Sequence, residues 1–250
     1  MLDICINNQQ FEFEYEGIKV FYVLNTSVFI KDVFIGIQDT HIKTSFNTYS
    51  KFIYINPLTK LESLLSFSKT NNLYKKLITY LLDNNLINNE KLRDIINKIN
   101  ESIGANYIQE NNDLTKLISA LFELNNEEYI DEKCFYKFLD FNKCDAKQLI
   151  IIQDLTFIKI SRLKDFLNYY DFIIVTNVFS CIENISNLET LIIWNNQNNY
   201  LEVIDSDKLL SYLEEKINIP ITKEVFNNFI KNQENLKLNA EISYFLSNFC

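Results

Sequence analysis

The sequence contains very little glycine and proline. It has three Gly and two Pro in 250 residues, whereas ordinary proteins average roughly 7% and 5%. The phosphate-binding motifs G-x-x-x-x-G-K-[ST] and G-x-G-x-x-G need glycine so that backbone amides can approach a phosphate closely, and neither motif occurs. The first strand-to-helix junction, Leu24-Asn25-Thr26-Ser27, also lacks glycine. These absences argue against ATP hydrolysis, and we expect no nucleotide cofactor.

Histidine and long apolar runs are scarce as well. His41 is the one histidine, so a His-rich metal site or a Ser-His-Asp arrangement would have to be centred on it; a solvated loop residue is the simpler interpretation. The longest apolar runs, such as Leu149–Ile152 and Phe172–Val175, are much shorter than the roughly 20 residues of a membrane span. The opening Met1-Leu2-Asp3 shows no signal-peptide pattern. We therefore expect a cytoplasmic protein with no membrane partner.

The charge is acidic and the cysteines are unpatterned. Twenty-four basic and thirty-three acidic residues give a net charge of −9, which repels nucleic acid when averaged over the surface. A polyanionic partner must therefore meet a local basic patch. The five cysteines are odd in number, widely spaced and without a C-x-x-C pair, which favours reduced, buried thiols over a disulfide framework or a metal site.

The first sixty residues are rich in predicted strands. Alternation in Phe11–Tyr15, the turn residue Gly17 and the apolar run Lys19–Leu24 predict a β-hairpin. A helix near 28–37 and a short strand at 52–55 follow.

Helical and then strand-like segments fill the rest of the chain. From about 58 to 143, apolar residues recur at helical spacing, which predicts four or five helices joined by short, polar loops. The continuous apolar runs at 148–153 and 172–176 are typical of strands buried on both faces of a parallel sheet. With a helix at about 161–170 between them they form a predicted βαβ unit. Further strands are predicted at 191–194 and 200–204, and helices at about 207–217 and 222–248.

This order predicts an α/β protein of two subdomains. Residues 1–58 and 146–250 form a discontinuous, Rossmann-like head with a mainly parallel sheet and no P-loop, and its C-terminal helical extension covers about 207–250. Residues 59–145 form an inserted helical leg.

Charged clusters supply the candidate chemistry. A metal nuclease would use carboxylates near a lysine. Such groups occur at Asp131-Glu132-Lys133, and at Asp205-Ser206-Asp207 with Glu214-Glu215-Lys216. Carboxylates at helix starts and on solvated faces explain both segments better.

Basic residues gather in the predicted leg and beside the first buried strand. If subunits assemble in a ring, repeated lysines would create a field that one acidic chain cannot; otherwise they are solubilising helix faces. The lysines we select as candidate DNA contacts are Lys69, Lys75, Lys76, Lys143 and Lys147.

Acidic residues are candidate Ca²⁺ ligands at Glu110, at Asp113 and in the stretch Glu123–Glu132, because Ca²⁺ prefers oxygen donors. EF-hand spacing and its glycine are missing, so a solvated loop is the alternative.

Four segments carry a family resemblance. They are FEFEYEGIKVFYVLNTSVFIKDVF, YINPL, NNDLTKLISALFELNNE and KQLIIIQDLTFIKISRLKDFLNYYDFIIVTN. In this order, from about residue 10 to residue 194, they resemble the CRISPR-associated Csn-two family of type II-A systems, which are accessory proteins of spacer acquisition. The resemblance implies a RecA-like head without a working phosphate loop, a helical leg, and a homotetrameric ring that encircles double-stranded DNA at its ends. It also implies Ca²⁺ bound near Glu110, Asp113, Glu127 and Glu128.

Three readings of the function remain open from the sequence. The first is a non-enzymatic, ring-forming DNA-end-binding protein of CRISPR adaptation and antiviral defence, which assists the Cas integrase and the effector nuclease. The second is a degenerate ATPase-like protein-interaction module without DNA binding. The third is a metal-dependent nuclease.

Overall fold

A computed structural model describes residues 2–6, 9–32, 42–44, 48–49, 52–84, 89–104, 114–124, 128–194, 200–218, 220–232 and 244. The chain divides into two compact units, a head unit of Met1–Leu58 with Asp131–Cys250 and a helical unit of Thr59–Ile130. The predicted leg ran to residue 145, but the segment from Asp131 onwards belongs to the head unit. The reason lies in its first helix, which buries Phe135, Phe138 and Leu139.

A six-stranded sheet forms the centre of the head unit, and its strand order is β10-β9-β3-β8-β7-β6. All neighbours in it are parallel except β10, which runs antiparallel to β9. The predicted mainly parallel α/β head is thereby confirmed. The strands span Ile18–Val23 (β3), Phe52–Ile55 (β6), Gln148–Gln153 (β7), Tyr170–Thr176 (β8), Leu191–Trp194 (β9) and Tyr200–Glu202 (β10).

The two most apolar strands lie inside this sheet, as their sequences predict. In β8 every residue is buried, and in β7 every residue after Gln148 is buried. Ile151 pairs with Ile173 in parallel register. Strands covered on both faces keep no polar side, which explains why both read as unbroken apolar runs.

A second, four-stranded sheet replaces the predicted hairpin. Its order is β2-β1-β4-β5, with antiparallel pairing. The prediction that Phe11–Tyr15 and Lys19–Leu24 pair as a hairpin was wrong, because β2 pairs with β1 while β3 lies between β8 and β9. The four strands span Leu2–Ile6 (β1), Gln9–Phe13 (β2), Ile42–Thr44 (β4) and Thr48–Tyr49 (β5).

Strand β2 instead packs its aromatic side against the face of the six-stranded sheet. The ring of Phe13 lies 5.6 Å from that of Phe21, edge to face, and Phe11 lies 4.9 Å from Trp194. Gly17 makes the change of sheet possible, because its φ of +95° is unfavourable for other residues and an added Cβ would lie 2.7 Å from Leu167. The alternation of apolar and polar residues along β2 therefore reflects burial of its aromatic side between the two sheets.

Five helices lie in the described part of the head unit. Asp131 and Asp205 are the N-caps of α6 and α8, where their carboxylates accept backbone N–H groups. Because Cys134 N–H donates to it, the pKa of Asp131 is lowered. This confirms the interpretation of these carboxylates as helix-start charges. The predicted helix at 161–170 is shorter, and a 3-10 turn at 164–166 follows it. The helices span Thr26–Ile30 (α1), Glu132–Phe141 (α6), Ile160–Leu163 (α7), Ser206–Ile217 (α8) and Lys223–Asn232 (α9).

The helical unit has a small core of its own. Tyr74, Leu81 and Ile118 are its buried centre, with leucines and Phe67 packed around them. Its two ends meet in a short antiparallel bridge between Lys60 and Tyr129. Its helices span Leu61–Leu64 (α2), Asn72–Asp83 (α3), Asn89–Ile103 (α4) and Leu114–Leu121 (α5).

Two further predictions concern membrane-spanning helices and the pairing of cysteines. Within the described ranges, no helix combines the length and apolar character needed to cross a membrane. Cys134, Cys144 and Cys181 form no disulfide, as the sequence predicts. The predicted burial holds for Cys181 but not for Cys134 and Cys144, which are half-buried. Burial raises the pKa of the Cys181 thiol to about 12. His41 and the remainder of the predicted helix 28–37 beyond residue 32 lie outside the described residues.

Candidate functional site

The carboxyl edge of the six-stranded sheet is where α/β proteins of this architecture usually bind ligands. Here the segments after β3 and β7 meet, although β8 lies between the two strands. The chain leaves β3 at Val23 and enters α1, whose N-cap Asn25 accepts the Val28 N–H. The junction contributes side chains to this edge. It has no glycine that would let its backbone approach a phosphate.

A hydrogen-bonded network fills this edge. Thr26 Oγ1 donates to Asp154 Oδ2 at 2.6 Å. Gln153 Nε2 donates to Thr26 Oγ1 at 3.0 Å and to Ser27 Oγ at 3.2 Å. The hydroxyl of Tyr54 donates to Gln153 Oε1. Residues from β6, β7 and the β3–α1 junction are thus joined through one amide and one carboxylate.

Asp154 is the unusual member of the network. It has a left-handed backbone conformation with φ of +52°, which few residues other than Gly, Asn and Asp adopt. Its N–H donates to Val175 O at 3.1 Å, which holds it against β8. Its second carboxylate oxygen, Oδ1, is buried and has no hydrogen-bond partner among the described residues.

A cleft of about 330 Å³ opens beside the network and is lined by Ser27, Lys31, Tyr54, Asn56 and Gln153 among others. Most of its polar side chains bond one another: Asn56 Nδ2 donates to the Tyr54 hydroxyl, and Asn56 Oδ1 accepts the Leu58 N–H. The polar side chains at this edge therefore bond mainly to neighbouring groups of the same edge, and Asp154 Oδ1 is the exception without a partner among the described residues. Sequence reasoning identified the junction Asn25–Ser27 but missed Gln153 and Asp154. The signal was present, because Gln153 is the last residue of the buried strand β7 and Asp154 follows it directly.

Three of the predicted DNA-contacting lysines belong to the helical unit. Lys75 and Lys76 lie on α3, and Lys69 lies three residues before that helix begins. All three are exposed, while the opposite side of α3 carries the buried Tyr74 and Leu81. The amphipathic helix thus presents Lys75 and Lys76 to solvent in its N-terminal part.

The other two predicted lysines belong to the head unit and are engaged with carboxylates. Lys143 donates to Asp140 at 2.7 Å, and this hydrogen bond raises the pKa of the Lys143 ammonium. Its Nζ also lies 5.2 Å from the ring centroids of both Phe166 and Tyr169. Lys147 forms an ion pair of 2.6 Å with Asp171, whose side chain is 3% exposed. Lys147 therefore neutralises a buried carboxylate at the start of β8, which gives it a structural role that the sequence did not reveal.

Most of the predicted Ca²⁺ ligands lie outside the described residues, namely Glu110, Asp113 and Glu127. Glu128 is exposed, and its backbone carbonyl accepts the Leu61 N–H at 3.0 Å. In the described part of the chain, no three His, Cys, Asp or Glu side chains are grouped so that they could hold a metal ion. The Ca²⁺ site stays a prediction.

The sheet order and the flanking helices define this chain as an α/β protein with a Rossmann-like head. Its fold is similar to that of Stu0660 of Streptococcus thermophilus, with a TM-score of 0.62 and 13% sequence identity. The similarity covers 100% of this chain and 93% of the Stu0660 chain. No protein-family model matches the sequence, and no curated protein does. At this identity the comparison establishes a common fold.

Proposed function

We propose that this chain is a non-enzymatic CRISPR adaptation protein of the Csn-two family, to which Stu0660 belongs. In this proposal four copies form a ring that binds the ends of double-stranded DNA and assists the Cas integrase and effector nuclease of a type II-A system during spacer acquisition. The observation that carries the proposal is the fold shared with Stu0660 over the whole chain. The four sequence segments that resemble the family provide independent support.

The arrangement at the carboxyl edge supports the absence of nucleotide hydrolysis in this proposal. A nucleotide-hydrolysing head needs backbone amides and a lysine around the phosphates. In the same place this chain has a glycine-free junction, and Thr26 and Gln153 are bonded to Asp154 or to each other. We therefore include no nucleotide among the ligands.

The lysines of α3 are the best candidates for DNA contact. Four chains at −9 each carry about −36, so attraction must act within a Debye length of about 8 Å at physiological salt. Exposed lysines repeated by symmetry satisfy this requirement. If Lys75 and Lys76 of four subunits contact phosphates, about eight contacts form, and log affinity falls with log salt at a slope near −7.

Mobility shifts with linear and closed circular duplexes of the same sequence test the ring. We expect binding to the linear form and at least tenfold weaker binding to the closed circle, because a ring needs a free end to thread. Equal binding to both forms would contradict end binding. Failure to bind either form at 50 mM salt would contradict the DNA-binding function and favour the protein-interaction module.

The double variant Lys75→Glu/Lys76→Glu tests the binding surface. We expect it to lose binding to linear DNA while the oligomer mass, measured by light scattering, stays unchanged. Its matched control is Lys208→Glu/Lys223→Glu, which makes the same charge change at α8 and α9, where both lysines are 62% or more exposed. Unchanged affinity in the first variant, or equal loss in the control, would rule out α3 as the DNA contact.

A further inference from the structure

A second cavity lies at the amino ends of the parallel strands of the head unit. The Thr26–Asp154 network lies at the opposite edge of the sheet, at the carboxyl ends of these strands. Its volume is about 600 Å³, which is within the range of ligand-binding pockets. It is bounded by the residues before and at the start of β3, by the segment before β8, and by the 3-10 turn at 185–190 that precedes β9. The proposed function makes no use of this cavity.

The cavity is acidic. Glu14, Glu16 and Glu189 line it and are exposed. Lys164 is the one lining ammonium that lacks a carboxylate partner within the described chain, since Lys19 is buried and paired with Glu202 at 2.6 Å. Three carboxylates against one free ammonium leave an excess of two negative charges. The cavity therefore favours a cationic ligand.

Asn187 adds a hydrogen-bond donor to the wall. Its residue is 3% exposed and lines the cavity. Its Oδ1 accepts the Glu183 N–H at 3.2 Å, which fixes the amide orientation. Its side-chain nitrogen has no hydrogen-bond partner among the described residues, and a donor held in a wall without a partner favours a ligand that brings an acceptor.

Apolar side chains complete the lining. Ile18 and Leu167 contribute to it, as does Ile204, which is 66% exposed. An aliphatic chain can pack on such residues while its charged end reaches a carboxylate, as the stems of Lys and Arg commonly do.

We propose that this cavity binds a Lys- or Arg-containing peptide segment of a partner protein. Such a segment brings ammonium or guanidinium groups for the glutamates, a backbone carbonyl for the Asn187 amide and aliphatic stems for the apolar lining. A polyamine would leave the amide nitrogen without an acceptor. A single metal ion does not fit either, because the three carboxylates belong to no group in the described chain that could hold one.

Fluorescence anisotropy tests the proposal with a labelled, acetylated hexapeptide of sequence Ala-Lys-Ala-Arg-Ala-Lys. The matched reference peptide has norleucine and citrulline in place of Lys and Arg. We expect the basic peptide to bind the full chain at least tenfold more tightly than the neutral one. We also expect 1,6-diaminohexane, which has charge and chain but no carbonyl, to compete only weakly.

The variant Glu16→Gln/Glu189→Gln removes two cavity charges from exposed positions. It should weaken binding of the basic peptide at least tenfold. The control Glu214→Gln/Glu215→Gln makes the same change of net charge on exposed residues of α8 outside the cavity lining, and its affinity should stay within twofold of the parent. No binding, equal binding of the neutral peptide, or equal weakening in the control would each overturn the proposal. These outcomes do not depend on DNA binding, which is measured separately.

Discussion

The buried ion pair between Lys19 and Glu202 connects the central strand β3 to the edge strand β10. Their side chains are 2% and 13% exposed, and Nζ lies 2.6 Å from Oε1. The same Oε1 also accepts the Glu14 N–H at 2.9 Å. Removing either charge therefore has consequences that depend on what remains buried.

Glu202→Gln leaves the Lys19 ammonium buried without a counter-charge. Removing one partner of a buried pair typically costs 3–5 kcal/mol. Because glutamine keeps an acceptor oxygen for the ammonium, we expect the lower end, about 3 kcal/mol. Lys19→Met keeps the aliphatic volume and leaves a carboxylate that is nearer to solvent and still accepts the Glu14 N–H, so we expect about 1.5 kcal/mol.

The double variant Lys19→Met/Glu202→Gln distinguishes pairing from simple packing. With both charges gone no unpaired ion is left, so we expect it to cost about as much as Lys19→Met alone. The coupling energy of the cycle is then about 3 kcal/mol. Urea unfolding followed by circular dichroism measures all four proteins. Additive costs within about 0.5 kcal/mol, or a Glu202→Gln cost below about 1 kcal/mol, would refute this reasoning.

The remaining predictions concern the core and one thiol. Ile151→Asp places a carboxylate at a position of β7 with 0% exposure, and we expect it to cost more than about 5 kcal/mol of stability and to abolish cooperative melting. The control Ile151→Val should cost about 0.5–1.5 kcal/mol. A soluble, cooperatively melting Asp variant would contradict the central position of β7. The pKa of the Cys181 thiol is raised to about 12 by burial, so at pH 8 the thiol stays protonated and the native protein should leave it unmodified by iodoacetamide, while half-buried Cys134 and Cys144 are alkylated. Peptide mapping by mass spectrometry measures this, and rapid modification of Cys181 before unfolding would show that its surroundings are open.

Local sequence was sufficient for the features that arise within a short window. The apolar runs of β7 and β8 predicted buried parallel strands, because a strand covered on both faces has no polar side to alternate with. Helical spacing predicted the helices of the inserted unit. The carboxylates at Asp131 and Asp205 were recognised as helix starts because N-caps are set by neighbours in sequence.

Contacts between distant segments were decided only by the tertiary structure. The alternation of β2 was correctly seen, but nothing local specifies whether its partner is β1 or β3, and the choice follows from burying Phe13 against the six-stranded sheet. The sequence does not distinguish Lys147 from a solvent-exposed lysine, because its ion-pair partner Asp171, 2.6 Å away, is brought to it by the fold. Thr26 and Asp154 are 128 residues apart, and they meet because the order of parallel strands brings the ends of β3 and β7 to the same edge. Such pairings depend on the packing of the whole unit, which local periodicity does not encode.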